Sequence, residues 1–231
     1  MLRARSAACL AGAVVAGALS VGADARADPA AKTPVVVAAM GDSLTDVRTG
    51  GGKYLDLLRK RCPQSRFDSY GKGGEMVNQM RHRFADDVFG PGKPPYTHVI
   101  VFGGVNDLYS DLTAGRTPAL IERDLTAMYE SAHQHGAKVV AITVAPWGGF
   151  TRYFNQSRLA TTLEVNRWIL GQSRSGAIEA AVDSYPLLSC GDPTRLCDRF
   201  VAPFKDGLHF GPEGHEKLGE ALFAQVFSSC A

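Results

Sequence analysis

Three apolar segments rich in β-branched residues restrict the fold of this chain more than any other feature. They are residues 34–40, 98–102 and 138–145. Uninterrupted apolar runs of this length are typical of strands that are buried on both faces, as in a parallel sheet. Residues 53–61 and 118–135, which lie between these runs, repeat their apolar positions at the spacing of amphipathic helices. Strands that alternate with helices predict an α/β fold with a parallel sheet.

The remainder of the chain extends this alternation. Two further strands are predicted over 66–70 and 177–183, and further helices near Glu75, over 158–171 and from Pro212. Residues 184–205, with several prolines, are predicted to be a loop. Because no hairpin turn separates the strands, helical crossovers connect them, and right-handed crossovers give a three-layer α/β/α sandwich.

Residues 1–27 have the layout of a secretory signal peptide. Two arginines precede an apolar run over residues 7–22, and Ala25-Arg26-Ala27 supplies an A-x-A cleavage site. A membrane anchor is the less favoured alternative, because the run is rich in Ala and Gly and falls short of the ~20 strongly apolar residues that a span needs. We expect cleavage after residue 27, which leaves residues 28–231 as a single domain in a secreted or periplasmic protein.

The charge balance of the predicted mature chain gives little support to nucleic-acid or membrane partners. The full chain has a formal net charge of +2, and residues 1–27 account for it, so basic and acidic residues are equal in number after cleavage. A neutral chain lacks the electrostatic footprint of a nucleic-acid or anionic-membrane binder. No later segment is long and apolar enough to insert stably into a membrane.

Four cysteines lie in the predicted mature chain, and an even number in an exported protein indicates two disulfides. Three pairings are possible. We favour Cys190–Cys197, which closes a short loop, and Cys62–Cys230, which ties the chain end to an early helix. Free buried thiols are the alternative. Zinc is disfavoured, because no CxxC pair or nearby histidine offers a tetrahedral set of ligands.

Ser43 directly follows the first predicted strand, within Met40-Gly41-Asp42-Ser43-Leu44. A strand-to-helix turn at this point projects a hydroxyl over the edge of the sheet. A serine hydroxyl needs an adjacent base to act as a nucleophile. The alternative is that Ser43 caps the next helix.

His209 is the candidate base, because Asp206 precedes it by three residues. On a turn, this spacing lets a carboxylate reach the imidazole Nδ1 and leaves Nε2 free to take a proton from serine. An isolated histidine is more often a surface residue or a core residue with its own partners. We expect this of His215, which lies beside Glu216 and Lys217 and is predicted to face solvent.

Asn106 and Gly74 also lie just past predicted strands. The side-chain amide of Asn106 is able to donate to a developing oxyanion. Gly74 has no Cβ, so its backbone N–H is able to approach a substrate oxygen closely. Both residue types are also common in ordinary turns, which is the alternative for each.

Together these motifs resemble the SGNH, or GDSL, hydrolase family. The matching segments are Gly41-Asp42-Ser43-Leu44, Gly73-Gly74, Gly104-Val105-Asn106-Asp107 and Asp206-Gly207-Leu208-His209. The chain departs from the family pattern at Glu75-Met76, where many relatives carry a small polar residue.

The resemblance implies a flavodoxin-like sandwich and ester hydrolysis through an acyl-serine. It implies that Ser43 is the nucleophile, His209 its base and Asp206 the acid that orients the base. The backbone N–H groups of Ser43 and Gly74 and the side chain of Asn106 are expected to form the oxyanion hole. No metal or other cofactor is implied.

Residues 146–158 follow the fourth strand and are expected to overhang the site. Trp147 and Tyr153, with neighbouring phenylalanines, are candidates to stack on a sugar or to line an acyl pocket, and Tyr109 is a further candidate. Arg152 or Arg158 is a candidate to meet an acidic group on the substrate. The alternative is a loop that its own aromatic side chains anchor.

The leading hypothesis is a secreted esterase that acts on short-chain or O-acetyl esters, small or part of a glycan. A lipase or lysophospholipase is a second possibility, and the lack of a long apolar lid segment counts against it. Acyl transfer to an alcohol uses the same three residues and stays open. A non-catalytic glycan-binding module is least favoured, because both Ser43 and His209 are present. The sequence does not indicate the oligomeric state.

Overall fold

Five parallel strands form the central sheet of the computed structural model, which describes Met1 and residues 32–231. In chain order the strands are β1 (Val36–Gly41), β2 (Arg66–Gly71), β3 (His98–Phe102), β4 (Lys138–Ile142) and β5 (Ala180–Val182). Their order across the sheet is β2-β1-β3-β4-β5, and each neighbouring pair is parallel. This order is that of a flavodoxin-like sheet, so the predicted fold class is confirmed.

Helices cover both faces of the sheet. They are α1 (Tyr54–Arg61), α2 (Val77–Phe89), α3 (Val105–Tyr109), α4 (Asp111–Ala114), α5 (Pro118–Gln134), α6 (Gln156–Arg174), α7 (Ser184–Leu188) and α8 (Pro212–Leu222), and a π-helical turn, Phe223–Phe227, follows α8. Helices α2, α5 and α6 pack on one face, and α1 and α8 pack on the other. The three layers of the predicted sandwich are therefore present.

Alternate residues of each strand belong to two separate cores. In β3, Val99 and Val101 pack with α2 and α5, whereas Ile100 and Phe102 face α1 and α8. Burial of both faces explains why β1, β3 and β4 are almost entirely apolar, whereas the edge strand β2 is only partly buried and carries Arg66, Asp68 and Ser69.

Residues 184–205 are not the plain loop that the sequence predicted, and they include a hairpin. They contain α7, an antiparallel pair of short strands, β6 (Ser189–Cys190) and β7 (Asp192–Leu196), and a 3-10 turn, Asp198–Phe200. The strand sequences lack an apolar alternation. The hairpin turns at Gly191, whose φ of 74° suits a residue without Cβ, and the Cys190–Cys197 disulfide closes it.

Strand β4 ends at Ile142, three residues before the predicted end of the strand at residue 145. Beyond it, the side chain of Asn166 takes the place of a neighbouring strand, because it binds both the N–H and the C=O of Val144, at 2.8 and 3.0 Å. Satisfied in this way, the backbone needs no further sheet pairing and is free to turn toward residues 146–154.

His215 is buried, which corrects the expectation of a solvent-facing residue. Its ring lies in α8 between the rings of Tyr54 and Phe210, with centroids 6.0 and 4.5 Å away. Burial lowers the pKa of His215 to about 3, so the ring is neutral at ordinary pH. It belongs to the core beneath the site.

Both favoured disulfides are present. Cys62, at the end of α1, bonds Cys230, and Cys190 bonds Cys197. Thr33 pairs with Cys230 in an isolated parallel bridge, so the segment just before β1 lies beside residues 229–231. The predicted signal peptide, residues 1–27, lies outside the described residues apart from Met1. Within the described part of the chain, no helix is both long and apolar enough to cross a membrane.

Candidate functional site

The predicted site residues meet at the carboxyl edge of the sheet. Ser43 follows the end of β1, Gly74 follows β2, and Asn106 lies in α3 just past β3. The segment Asp206–His209 reaches the same edge from the long connection between β5 and α8. Parallel strands end together at this edge, which is where ligands bind in open α/β sheets.

Ser43, His209 and Asp206 form a continuous hydrogen-bonded chain. Ser43 Oγ lies 2.8 Å from His209 Nε2, and His209 Nδ1 lies 2.6 Å from Asp206 Oδ2. The other Asp206 oxygen accepts the backbone N–H groups of Leu208 and His209, at 2.9 and 2.8 Å. A carboxylate fixed in this way keeps the proton on Nδ1 and leaves Nε2 facing the hydroxyl.

Partial burial acts to raise the pKa of Asp206. The hydrogen bonds from the His209 ring and from the two N–H groups outweigh burial and hold the pKa below its ordinary value. Asp206 is therefore ionised wherever the imidazole needs a negative partner.

Asp42 shapes the turn that carries Ser43. Its carboxylate accepts the N–H of Leu44 at 2.9 Å, and its carbonyl accepts those of Thr45 and Asp46. These bonds leave the N–H of Ser43 without an acceptor among the described residues. Burial raises the pKa of Asp42 to about 7.

The loop after β2, which contains Gly73 and Gly74, presents a second N–H group that has no hydrogen-bond acceptor among the described residues, that of Gly74. The N–H of Gly73 donates to Asp46 Oδ2 at 3.0 Å, whereas that of Gly74 has no acceptor among the described residues. Gly74 has a φ of 79°, which a side chain would strain, and it lines the cleft above Ser43. These observations favour Gly74 over Gly73 as the donor.

The side chain of Asn106 is buried and already hydrogen-bonded. Its amide donates to the carbonyl of Glu75 at 2.8 Å and, more weakly, to Asp42 Oδ2 at 3.4 Å. The carbonyl of Glu75 thus aims the amide, while the Glu75 side chain binds Arg83 at 2.7 Å and stays out of the cleft. The departure from the family pattern at this residue is thereby accommodated.

A buried ion pair lies behind Asn106. Asp107 accepts the N–H of Val77, the first residue of α2, at 2.9 Å and Arg116 Nε at 2.6 Å. Arg116 also donates to Asp124 at 2.8 Å. Burial raises the pKa of Asp107, and the bonds from Val77 and Arg116 offset that rise only in part. Through Val77, this cluster fixes the start of α2 and hence the loop that carries Gly74.

The segment that carries Asp206 and His209 rests on the loop after β4. At Gly207, whose φ is 74°, a Cβ would lie only 2.1 Å from the backbone of Gly149. Two backbones approach this closely only where side chains are absent. The loop over residues 146–154 therefore packs against the backbone between Asp206 and His209.

A cleft of about 400 Å³ opens above Ser43. Its lining comprises the site residues and four further side chains; the full set is Ser43, Thr49, Gly74, Asn106, Tyr109, Phe204, Asp206, Leu208 and His209. Larger hollows occur elsewhere on the described chain. The largest contains Thr97 and His98, whose Oγ1 and Nδ1 lie 2.9 Å apart, but among the described residues no carboxylate is hydrogen-bonded to His98.

The structure separates the three aromatic candidates for substrate binding. Tyr109 lines the cleft. Tyr153 does not line the cleft, but its ring packs against that of Tyr109, with the two ring centroids 5.5 Å apart. Trp147 has no exposed surface, and its N–H donates to Thr162 at 3.0 Å. The expectation that a sugar stacks on Trp147 is therefore withdrawn. Arg158, another candidate, is paired with Asp111.

Sequence reasoning missed several residues of the site. Thr49, Phe204 and Leu208 line the cleft, while Asp107 and Arg116 support it. Asp107 and Leu208 belong to the matching segments themselves, so their position was a usable signal, although no role was assigned to either. Phe204 and Arg116 carry no such signal, because only the folded chain brings them to the site.

In the described chain, no group of three or more His, Cys, Asp or Glu side chains is arranged to hold a metal ion.

The sequence over residues 39–217 matches the family model described as GDSL-like lipase/acylhydrolase. No curated protein matches the sequence.

Solved structures with similar folds include a GDSL-like lipase from Bacteroides thetaiotaomicron, with a TM-score of 0.68 and 20% identity over 84% of this chain and 88% of that one. An acetyl xylan esterase gives a TM-score of 0.64 and 22% identity over 83% and 100% of the two chains. A catalytic mutant of an acetylxylan esterase from Geobacillus stearothermophilus gives 0.65 and 15%, over 87% and 98%.

Proposed function

The chain belongs to the GDSL-like lipase/acylhydrolase family, and from this membership we propose that it hydrolyses short-chain or O-acetyl carboxylic esters through an acyl-serine intermediate on Ser43. Membership makes it a GDSL-type esterase or acylhydrolase. The observation that carries the residue roles is the hydrogen-bonded chain from Ser43 Oγ through His209 to Asp206, at 2.8 and 2.6 Å. A hydroxyl in contact with an oriented imidazole is the arrangement that activates serine.

In the first half of the reaction, Ser43 Oγ attacks the ester carbonyl carbon while its proton passes to His209 Nε2. The carbonyl π electrons move to oxygen and give a tetrahedral oxyanion. Collapse of this intermediate re-forms the carbonyl and breaks the bond to the alcohol, which leaves with the proton from His209 Nε2. Asp206 stays ionised and stabilises the imidazolium in between.

In the second half, water attacks the acyl-serine and gives its proton to His209. Collapse of the second tetrahedral intermediate releases the carboxylic acid and returns the proton to Ser43 Oγ. Each half begins and ends with a neutral imidazole, so no external acid or base is consumed.

The oxyanion is held by the N–H groups of Ser43 and Gly74 and by the amide of Asn106. The first two have no acceptor among the described residues, so they are available without rearrangement. Asn106 already donates to Asp42 over 3.4 Å. An oxyanion replaces Asp42 as the acceptor of this N–H, and little hydrogen-bond energy is lost because the contact is long. The shorter bond from Asn106 to the carbonyl of Glu75 keeps the amide in place.

The shape of the cleft supports a short acyl group. It is open, holds about 400 Å³, and has only three large apolar side chains in its lining, Tyr109, Phe204 and Leu208. A long acyl chain needs a more extended apolar surface to leave water. The acetyl xylan esterases among the similar structures support an O-acetyl group on a glycan as the substrate.

A series of p-nitrophenyl esters from acetate to palmitate tests this proposal. The wild type should prefer the shortest esters, and Ser43→Ala should lower kcat by about 10⁵-fold or more, since the three residues act as a unit. Ser131→Ala is the control, because Ser131 lies in α5 and does not line the cleft. A folded Ser43→Ala protein with wild-type turnover would remove Ser43 from the chemistry. A palmitate optimum would replace the short-acyl proposal with a lipase.

We further propose that the protein is exported and cleaved after Ala27. The A-x-A pattern at residues 25–27 and the two disulfides support this, because disulfides persist in oxidising compartments. Mass spectrometry of protein recovered outside the cytoplasm should find Asp28 as the first residue. Intact Met1 on that material would contradict cleavage.

A further inference from the structure

Phe204 occupies a defined place in the cleft that the proposed chemistry leaves unused. It lies two residues before Asp206, lines the cleft with Ser43 and is 37% exposed. Its ring centroid lies 5.5 Å from that of His209, with the two rings tilted by 49°. Phe204 is therefore an accessible aromatic wall on the imidazole side of the nucleophile.

The backbone beneath the ring fixes its position. Gly50 has a φ of 89°, and a Cβ on it would lie 3.2 Å from Cζ of Phe204. The ring thus rests on the glycine that ends the Val47–Thr49 turn. Tyr109, three residues after Asn106, packs against the rings of Phe150 and Tyr153, neither of which is paired with Phe204. The two aromatic walls of the cleft are consequently independent of each other.

The direction of proton transfer identifies which half of an ester meets Phe204. His209 Nε2 must give its proton to the alcohol oxygen as that oxygen leaves, so the alcohol oxygen lies within hydrogen-bond distance of Nε2. The carbonyl oxygen points instead toward the donors at Ser43, Gly74 and Asn106. The alcohol group therefore extends along the imidazole side, where Phe204 stands.

We propose that Phe204 forms a subsite for the alcohol portion of the substrate and that it selects alcohols that carry a six-membered ring with a broad apolar face. The inference rests on the proposed function. A planar aromatic side chain offers a large apolar surface to the C–H face of a pyranose or to an aryl ring. A small acyclic alcohol covers little of that surface. Both ring types share this chemistry, and an experiment separates them.

Three acetates that share one acyl group test the subsite: a mono-acetylated methyl pyranoside, phenyl acetate and ethyl acetate. Phe204→Ala should lower kcat/KM for the ring esters by about 10-fold or more, the scale of a lost apolar contact. The loss for ethyl acetate should be at least about 5-fold smaller than the loss for the ring esters. Phe204→Trp, which keeps a flat face, should retain ring preference, whereas Phe204→Leu should lose it.

Leu112→Ala is the matched control, because Leu112 is an exposed apolar residue that does not line the cleft. A loss in the pyranoside alone identifies a sugar as the occupant, and a loss in phenyl acetate alone identifies an aryl alcohol. Equal losses for all three acetates, with an altered pH profile, would overturn the subsite and make Phe204 a support of His209. No loss for either ring ester would also overturn it. Failure of the proposed function is distinguishable, because Ser43→Ala would then retain hydrolysis of every acetate.

Discussion

The two sides of Ser43 are built in different ways. On the oxyanion side, Asn106 and Asp107 are buried, and the Asp107–Arg116–Asp124 cluster stands behind them. On the imidazole side, the side chains of Asp206 and His209 keep 37% and 29% of their surface exposed, on a segment without helix or strand.

This difference matches the two tasks. The donors to an oxyanion must be in place before charge develops, and the buried, hydrogen-bonded groups around and behind Asn106 provide that preorganisation. The imidazole side carries the proton and faces the alcohol, which varies between substrates. Loops on a rigid scaffold are where proteins adapt recognition. We therefore expect substitutions on the imidazole side to change activity or selectivity with little cost in stability, and substitutions on the oxyanion side to change both.

Asp206→Asn should give the largest effect among the residues around Ser43. Without the negative partner, the imidazolium form of His209 is less stable and the neutral ring is no longer held in the required tautomer. We therefore expect kcat to fall by about 10³–10⁴-fold. The midpoint of thermal unfolding should stay close to wild type, because the side chain is exposed. Asp198→Asn, another exposed acid of the same connection, is the control for both measurements. A large fall in the unfolding midpoint would contradict the contrast between the two sides.

Asn106→Ala should lower kcat by about 10²–10³-fold through the loss of one oxyanion donor. KM should change much less than kcat, because the lost bond forms mainly in the transition state. Steady-state kinetics with p-nitrophenyl acetate separates the two parameters, and circular dichroism should show a folded protein. An unchanged kcat would remove Asn106 from the oxyanion hole.

Asp107→Asn should combine a smaller kinetic effect with a clear loss of stability. Breaking one half of a buried ion pair costs about 3–5 kcal/mol in the free energy of unfolding. Slight displacement of Val77 and the Gly74 loop should lower kcat by about 10-fold. Asp124→Asn disturbs the same arginine without touching Val77. In urea titrations it should lose stability while its kcat stays near wild type, and equal kinetic losses in both variants would disprove the link through Val77.

Asp46→Asn should produce the smallest effect, which depends on pH. The side chain of Arg48, together with the N–H groups of Gly73 and Arg48, lowers the pKa of Asp46 to about 2. A carboxylate with a lowered pKa stabilises the fold above its ordinary pKa of about 3.8, and this stabilisation is lost as the pH falls toward 2. Urea unfolding of wild type and variant should therefore differ at pH 6 and converge near pH 2. A constant difference across that range would contradict the assignment.

The layered architecture was predictable because β1, β3 and β4 are buried on both faces and therefore carry apolar runs that can be recognised without tertiary information. The site motifs were predictable for a related reason, since parallel strands bring Ser43, Gly74 and Asn106 to one edge whatever lies between them. For His215, a usable signal was overlooked: it precedes Leu218 and Leu222 at three- and four-residue steps, which places all three on the buried face of α8.

Other features depend on distant partners that local pattern does not show. Trp147 can be fully buried because Thr162, which lies 15 residues later in α6, offers its N–H an acceptor. The hairpin within 184–205 forms although its residues have little strand character, because a disulfide closes it. Phe204 reaches the cleft because its ring meets Gly50 across the gap between two loops.

Thr33, just before β1, lies beside residues 229–231, and this closeness is useful for engineering. At the amino edge of the sheet, the N–H of Thr33 donates to the carbonyl of Ser229, and the N–H of Ala231 donates to the carbonyl of Thr33. Ser43 and His209 lie at the carboxyl edge, so a short peptide joining these segments would leave the cleft open. New termini could then be opened at an exposed turn such as Gly92, between α2 and β3, yielding a circular permutant whose core layers are unchanged. The same geometry would let the protein be immobilised on a surface through either segment with its cleft directed toward the solution.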